Sequence, residues 1–145
     1  MSYVSSNYAA NSAAPVGQWA CTRTSNLGPY NALPVDSTRH NPDYCGQCVS
    51  YVTTVCPTIP VNTTQWSKGV AVRGNKNILP GTAIATFNAT GNYHGHAAIY
   101  DGQDDVGIQV YDQWVTGTAK AVGKRTLKWG ANGVSNNGDG FYVIE

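Results

Sequence analysis

Residues 45-CGQCVSYV-52 set the problem. Two cysteines stand three positions apart where a polar, proline-bearing segment gives way to helical periodicity. Cys48, Tyr51, Val52 and Val55 share one helical face. Asp43-Tyr44-Cys45-Gly46 is the approach to that helix, and Pro57 and Pro60 end it. Its many β-branched residues give it weak intrinsic propensity, so tertiary packing has to hold it.

The cysteine pair has several chemical readings. A structural zinc site needs a second pair of ligands at its own spacing. Cys21 and Cys56 are single, and His40, His94 and His96 form no second half-site. A thioredoxin-like redox pair needs a βαβ unit around it, and the preceding segment is loop-like. A nucleophile suits the position better. A thiol at a helix N-terminus meets the positive end of the macrodipole and unpaired amides, both of which favour the thiolate. Cys48 lies in the first turn, and Gly46 before it allows the backbone to approach a substrate closely. The four cysteines leave three for scaffolding if Cys48 is used for chemistry, hence at most one internal bridge. Cys21–Cys56 is the expected bridge, joining the N-terminal segment to a position past the helix end. Cys21–Cys45 is nearly as good.

Downstream the period changes from helical to alternating. Strands are predicted at 82–87, after the Pro80-Gly81 turn, and at 96–100 and 107–114, with Asp101 to Asp105 as a hairpin loop. Further strands fall near 121–129 and at 141–144. Residues 61–80 read as a connection, and residues 1–43 as a loop-rich arm with at most a short helix. One helix followed by closely spaced strands predicts an α+β fold with an antiparallel sheet. The whole chain, 1–145, reads as one catalytic domain with its core in 44–145.

Composition narrows the function. Only 12% of residues are charged and the formal net charge is +1, so there is no basic stripe for nucleic acid. No apolar run is long enough to span a bilayer, and residues 1–18 lack the basic and apolar regions of a signal peptide. Export by another route, or a mature form, is the expectation. Sequons at Asn62 and Asn88 matter only in a eukaryotic secretory pathway.

A nucleophilic thiol needs a base, and the base needs an orienting partner. His96 begins a rigid strand, and Asp112 ends the next one, within reach of an imidazole. The bland alternatives are a core or disulfide Cys48, a satisfied sheet histidine at His96 and a turn-capping Asp112. Tyr93, Gln113 and Trp114 are placed to shape a substrate groove, where an aromatic ring either stacks on sugar or packs the core. His94 and His40 read as exposed. Lys120, Lys124, Arg125 and Lys128 read as a solvated strand face that would favour an anionic polymer.

Three motifs occur in order. Gly46-Gln47-Cys48-Val49-Ser50-Tyr51-Val52 resembles the G-Q-C-x-x-[YF]-V motif of CHAP domains. Pro80 to Phe87 resembles their P-G-x-I-A-x-[FW] strand, and Gly95-His96-Ala97-Ala98-Ile99-Tyr100 their G-H-[VA]-[AG]-[IV] strand. The resemblance covers roughly residues 44–115. It implies the papain-like fold shared with NlpC-like cell-wall peptidases and amidases, a helix carrying the cysteine packed on an antiparallel sheet. It also implies Cys48 as nucleophile, His96 as base, Asp112 as third residue and Gln47 beside the substrate, with no metal or cofactor. The expected substrate is the peptide part of bacterial peptidoglycan, reached by secretion or by delivery to the periplasm. Small secreted effectors also use this fold, which brings in an immunity protein as partner; the expected state is a monomer. Two other functions stay open: a muramidase using Asp112 with Asp101 or Asp105, and a non-catalytic wall-binding module.

Overall fold

The computed structural model describes residues 1–33 and 44–145; Asp43 and His40 lie outside the described residues. Helix α1 is Cys48–Val55. It has no side-chain N-cap, no acid in its first turn and no base in its last. What holds it is burial. Tyr51, Val52 and Val55 are fully buried, facing β3 (Tyr93–Gln103) and β4 (Gly107–Trp114). The arm serves the other end. Arg23 donates to the carbonyls of Thr53, Cys56 and Ile59 at 3.1, 3.2 and 2.9 Å, that is, to the last turn of α1, to its C-cap and to the turn that follows.

The sheet also contains β1 (Lys68–Ala71), β2 (Ala83–Phe87), β5 (Lys120–Lys128) and β6 (Tyr142–Ile144), in the order β1-β6-β2-β3-β4-β5. Every neighbouring pair is antiparallel. The architecture is therefore α+β. Alternation along the strands builds a core on each side. Ala83, Ala85, Ala97 and Ile99 join α1, while Ile84, Ala98, Tyr100, Ile108, Val110, Leu127 and Phe141 form the opposite layer.

Two strand expectations need correction. β3 starts earlier and runs later than 96–100, so the hairpin turn is confined to 104–106, where Asp104 Oδ1 accepts the amides of Val106 and Gly107. β1 lies inside the segment read as a connection. It is mostly exposed, so it carries no apolar alternation to announce it. The arm is likewise more than a cover. Ala14, Trp19, Ala20 and Cys21 are buried, and bridges join Val4 to Thr82 and Trp19 to Tyr30.

The disulfide joins Cys21 to Cys45, not to Cys56. After α1 the chain turns back at once, Ile59 N–H donating to the Cys56 carbonyl at 3.1 Å. Cys56 is thereby buried in the core with Val52 and Ile59, and its thiol is free. The bridge closes a sequence separation of 24, worth about 3 kcal/mol of chain entropy. Cys45→Ala is expected to lower Tm by roughly 10 °C in a thermal melt; an unchanged Tm would show that the bridge does not contribute.

Candidate active site

The site is built where the start of α1 meets β3, β4 and β5. Gly95 has φ +108°, and a Cβ there would lie 2.5 Å from Thr86 Oγ1 and 2.9 Å from Val134, so only glycine fits. Thr86 Oγ1 accepts the His96 amide at 2.9 Å and donates to the His94 carbonyl. This side chain spans an irregularity in the β2–β3 register and sets where His96 leaves the strand. Trp114 and Phe141 flank the imidazole edge-on, each with its ring centre 6.3 Å away.

His96 is 2% exposed and Asp112 is fully buried. His96 Nε2 and Asp112 Oδ2 are 2.7 Å apart, which leaves Nδ1 as the ring nitrogen for Cys48. The half-buried Cys48 thiol interacts with His96 and with the Ala97 amide, and its sulfur is 3.4 Å from the Tyr93 hydroxyl. Trp66, buried beneath, packs edge-on against Tyr93 at 5.1 Å.

The electrostatics suit an ion pair. Burial opposes a thiolate at Cys48, but hydrogen bonding and the charge of His96, with help from Tyr93, outweigh it, and the thiol is held below its usual range. Burial also opposes an imidazolium. The hydrogen bonds to Asp112 and Cys48 outweigh that too, raising His96 to about 9. Burial, then the Cys48 charge, pushes the Tyr93 hydroxyl up, so it stays a donor. Cys56 is the contrast: burial pushes its thiol to about 11. A thiolate–imidazolium pair is therefore favoured over the interval between the depressed thiol and about pH 9. The rate is expected to fall above about pH 9, as His96 loses its proton, and to fall again on the acid side of the thiol. A kcat/KM profile with a basic limb near pH 6.5 would contradict this.

A cleft of about 510 Å³ opens over these groups, lined by Gln47, Cys48, Tyr93, His96, Trp114 and Arg125 among others. A second hollow, of about 550 Å³, shares Gln47, Val49 and Tyr93 with it. Gln113 is not in the groove. It is fully buried, its side chain bonded to Ala20 N and O at 2.8 and 2.9 Å and to the Gln47 carbonyl at 2.8 Å. It ties the arm to the residue before Cys48. Gly46 serves packing rather than substrate approach: φ is +86° and a Cβ would strike Val115. His94 is exposed.

Arg125 departs furthest from its expected place on a solvated face. Its side chain is 16% exposed and its Nε donates to Asp112 Oδ2 at 2.9 Å. The antiparallel register pairs Val110 with Arg125 and Asp112 with Gly123, making Arg125 a diagonal same-face neighbour of Asp112. That register is the signal that could have found it. Lys124, by contrast, is exposed and pairs with Asp101 at 3.0 Å.

A thiol, an imidazole and a buried carboxylate in this order have the parts needed for acyl transfer by a cysteine hydrolase. The sequence model of the domesticated amidase effector 2 family matches residues 17–144, and the chain belongs to that family. A protein of Ixodes scapularis, domesticated amidase effector 2, is 45% identical over 103 residues, covering 68% of this chain and 70% of its own length. The type VI secretion amidase effector 2 protein of Salmonella typhi is 42% identical over 96 residues, covering 55% of this chain and 71% of its own. Among solved structures, a type 6 secretion amidase effector 2 superposes with a TM-score of 0.60 at 37% identity, covering 68% of this chain and 80% of that one.

Proposed function

We propose that this protein is a cysteine amidase that hydrolyses amide bonds in the peptide part of bacterial peptidoglycan. The observation that carries this reading is the Cys48 thiol, depressed by contact with His96, which is itself held by buried Asp112. Family membership supports amide-bond chemistry. The three motifs, over roughly residues 44–115, support a papain-like domain of the NlpC/CHAP kind, and the family match over residues 17–144 supports one catalytic unit.

In this mechanism the Cys48 thiolate attacks the amide carbonyl carbon. The oxyanion that forms is held by the Cys48 amide, one of the first helix amides that no intrahelical carbonyl engages. Imidazolium His96 gives its proton to the leaving nitrogen as the C–N bond breaks, leaving a thioester and a free amine. Neutral His96 then takes a proton from water, the resulting hydroxide attacks the thioester, and the thiolate leaves with a carboxylic acid as product. Asp112 keeps the ring oriented throughout.

The effector names of the relatives favour delivery to a target cell wall and an immunity protein as partner. No helix among the described residues is long and apolar enough to cross a membrane. A muramidase is disfavoured on physical grounds, because it needs a protonated carboxylic acid beside the sugar. Asp112 is fully buried. Burial would raise Asp101, but Tyr8 and Lys124 outweigh it and lower it. Asp105 is exposed in the β3–β4 turn. The deciding experiment is digestion of purified peptidoglycan by the parent and by Cys48→Ala, with product masses. New amine and carboxyl ends lost in the variant support the proposal. New reducing ends retained in it would overturn it, as would binding without any soluble product.

A further inference from the structure

We propose that Arg125 is a positioning residue of this site, holding the Asp112 carboxylate that aims His96 and tying it to the 129–137 loop beside the cleft. The proposal rests on the Cys48–His96–Asp112 reading above and adds a member to it.

Asp112 concentrates its bonding on one oxygen. Oδ2 meets His96 Nε2 at 2.7 Å and Arg125 Nε at 2.9 Å. Oδ1 is buried and has no hydrogen-bond partner among the described residues. Arg125 is thus one of two groups that fix the rotation of this carboxylate. Its remaining donors reach the loop: NH1 bonds Asn136 Oδ1 at 2.8 Å and NH2 the Ser135 carbonyl at 2.7 Å. The guanidinium also lies 4.5 Å from the centre of the Trp114 ring, and NH2 is 3.4 Å from His96 Nε2. One planar fork therefore joins β4, β5, the loop and an aromatic wall. Lysine has a point charge and cannot reproduce the fork.

The charged and titratable groups facing His96 are Cys48 on α1, Asp112 on β4 and Arg125 on β5, with Tyr93 behind the thiol. Removing the guanidinium takes a positive charge from beside His96 and out of the cleft that Cys48 shares with it. Protonated forms of both gain, so both limbs of the rate profile move to higher pH, by about one unit.

The test compares Arg125→Met and Arg125→Lys with the parent and with Cys48→Ala. Alkylation of Cys48 by iodoacetamide against pH reads the thiolate without any substrate, and peptidoglycan digestion reads both limbs. Arg125→Met is expected to shift both limbs upward and to lower the rate at least tenfold at neutral pH. Arg125→Lys is expected to keep the parental limbs but lose rate and raise KM, because the charge remains while the loop is released. Limbs that stay put or move down in Arg125→Met, with Cys48→Ala inactive, would overturn the role of Arg125 alone. An active Cys48→Ala would overturn the site reading and the proposal with it. If Arg125→Met does not fold, parental rate and KM in Arg125→Lys would overturn the proposal.

Discussion

Replacing Cys48 by alanine is expected to reduce release of soluble fragments from purified peptidoglycan by at least about a thousandfold. The reason lies in how the thiols are partitioned. Cys21 and Cys45 are bonded to each other, which leaves Cys48 and Cys56 as free thiols. Cys56 is fully buried, and that burial pushes it up to about 11. It can neither reach a substrate nor ionise at neutral pH, so nothing replaces the lost nucleophile. Cys48→Ser is expected to be nearly as inactive, since an alcohol stays protonated beside this imidazole. His96→Ala should match Cys48→Ala, and the double variant should be little worse than either, because the two groups act as a unit. Iodoacetamide should label Cys48 and spare Cys56 in the folded enzyme. Substantial fragment release by Cys48→Ala would end the cysteine mechanism.

Asp112→Asn is expected to lower kcat by about a hundredfold to ten-thousandfold and to destabilise the fold by about 3–5 kcal/mol. The first effect follows from orientation: an amide at this position can hold the wrong tautomer of His96 or none. The second follows from burial. Asp112 is fully buried and Arg125 is 16% exposed, so the substitution leaves a nearly buried guanidinium without its counter-charge. A loss of less than tenfold in kcat would mean that something other than Asp112 orients the ring. Melting temperature against pH gives an independent check. His96 is raised from 6.5 to about 9 in the folded state. Its favourable interaction is fully present below pH 6.5 and is lost as pH rises through 9. The parent should lose stability over that interval, and Asp112→Asn, having no carboxylate for the imidazolium, should lose much less.

Much of the scaffold was legible because its signals are local. The 48/51/52/55 face, the proline stop and the alternating runs at 82–87 and 107–114 are short-range patterns, and they correspond to α1, β2 and β4. β1 escaped because an exposed edge strand needs no apolar alternation. The Cys21–Cys56 pairing failed because a position past a helix end looks free along the chain, whereas the turn after α1 buries it. Gln113 and Trp114 are neighbours in the chain, yet strand alternation sends the first into the interior and leaves the second beside the cleft.

The chain by itself determined the class of fold and brought forward a helix-borne thiol, a strand-borne imidazole and a carboxylate at the end of the next strand. Those follow from periodicity and residue chemistry. Tertiary structure alone decided which groups hold them. Arg23 on carbonyls at the end of α1 and just beyond it, Thr86 across the irregularity before His96, Gln113 on the Gln47 carbonyl and Arg125 on Asp112 are contacts between residues 10 to 66 positions apart in sequence. Such contacts depend on how strands pair and how far each side chain is drawn from water, and no local pattern encodes either. The same burial that hides Asp112 makes its charge act strongly on His96, and through it on the thiol at the start of CVSYV.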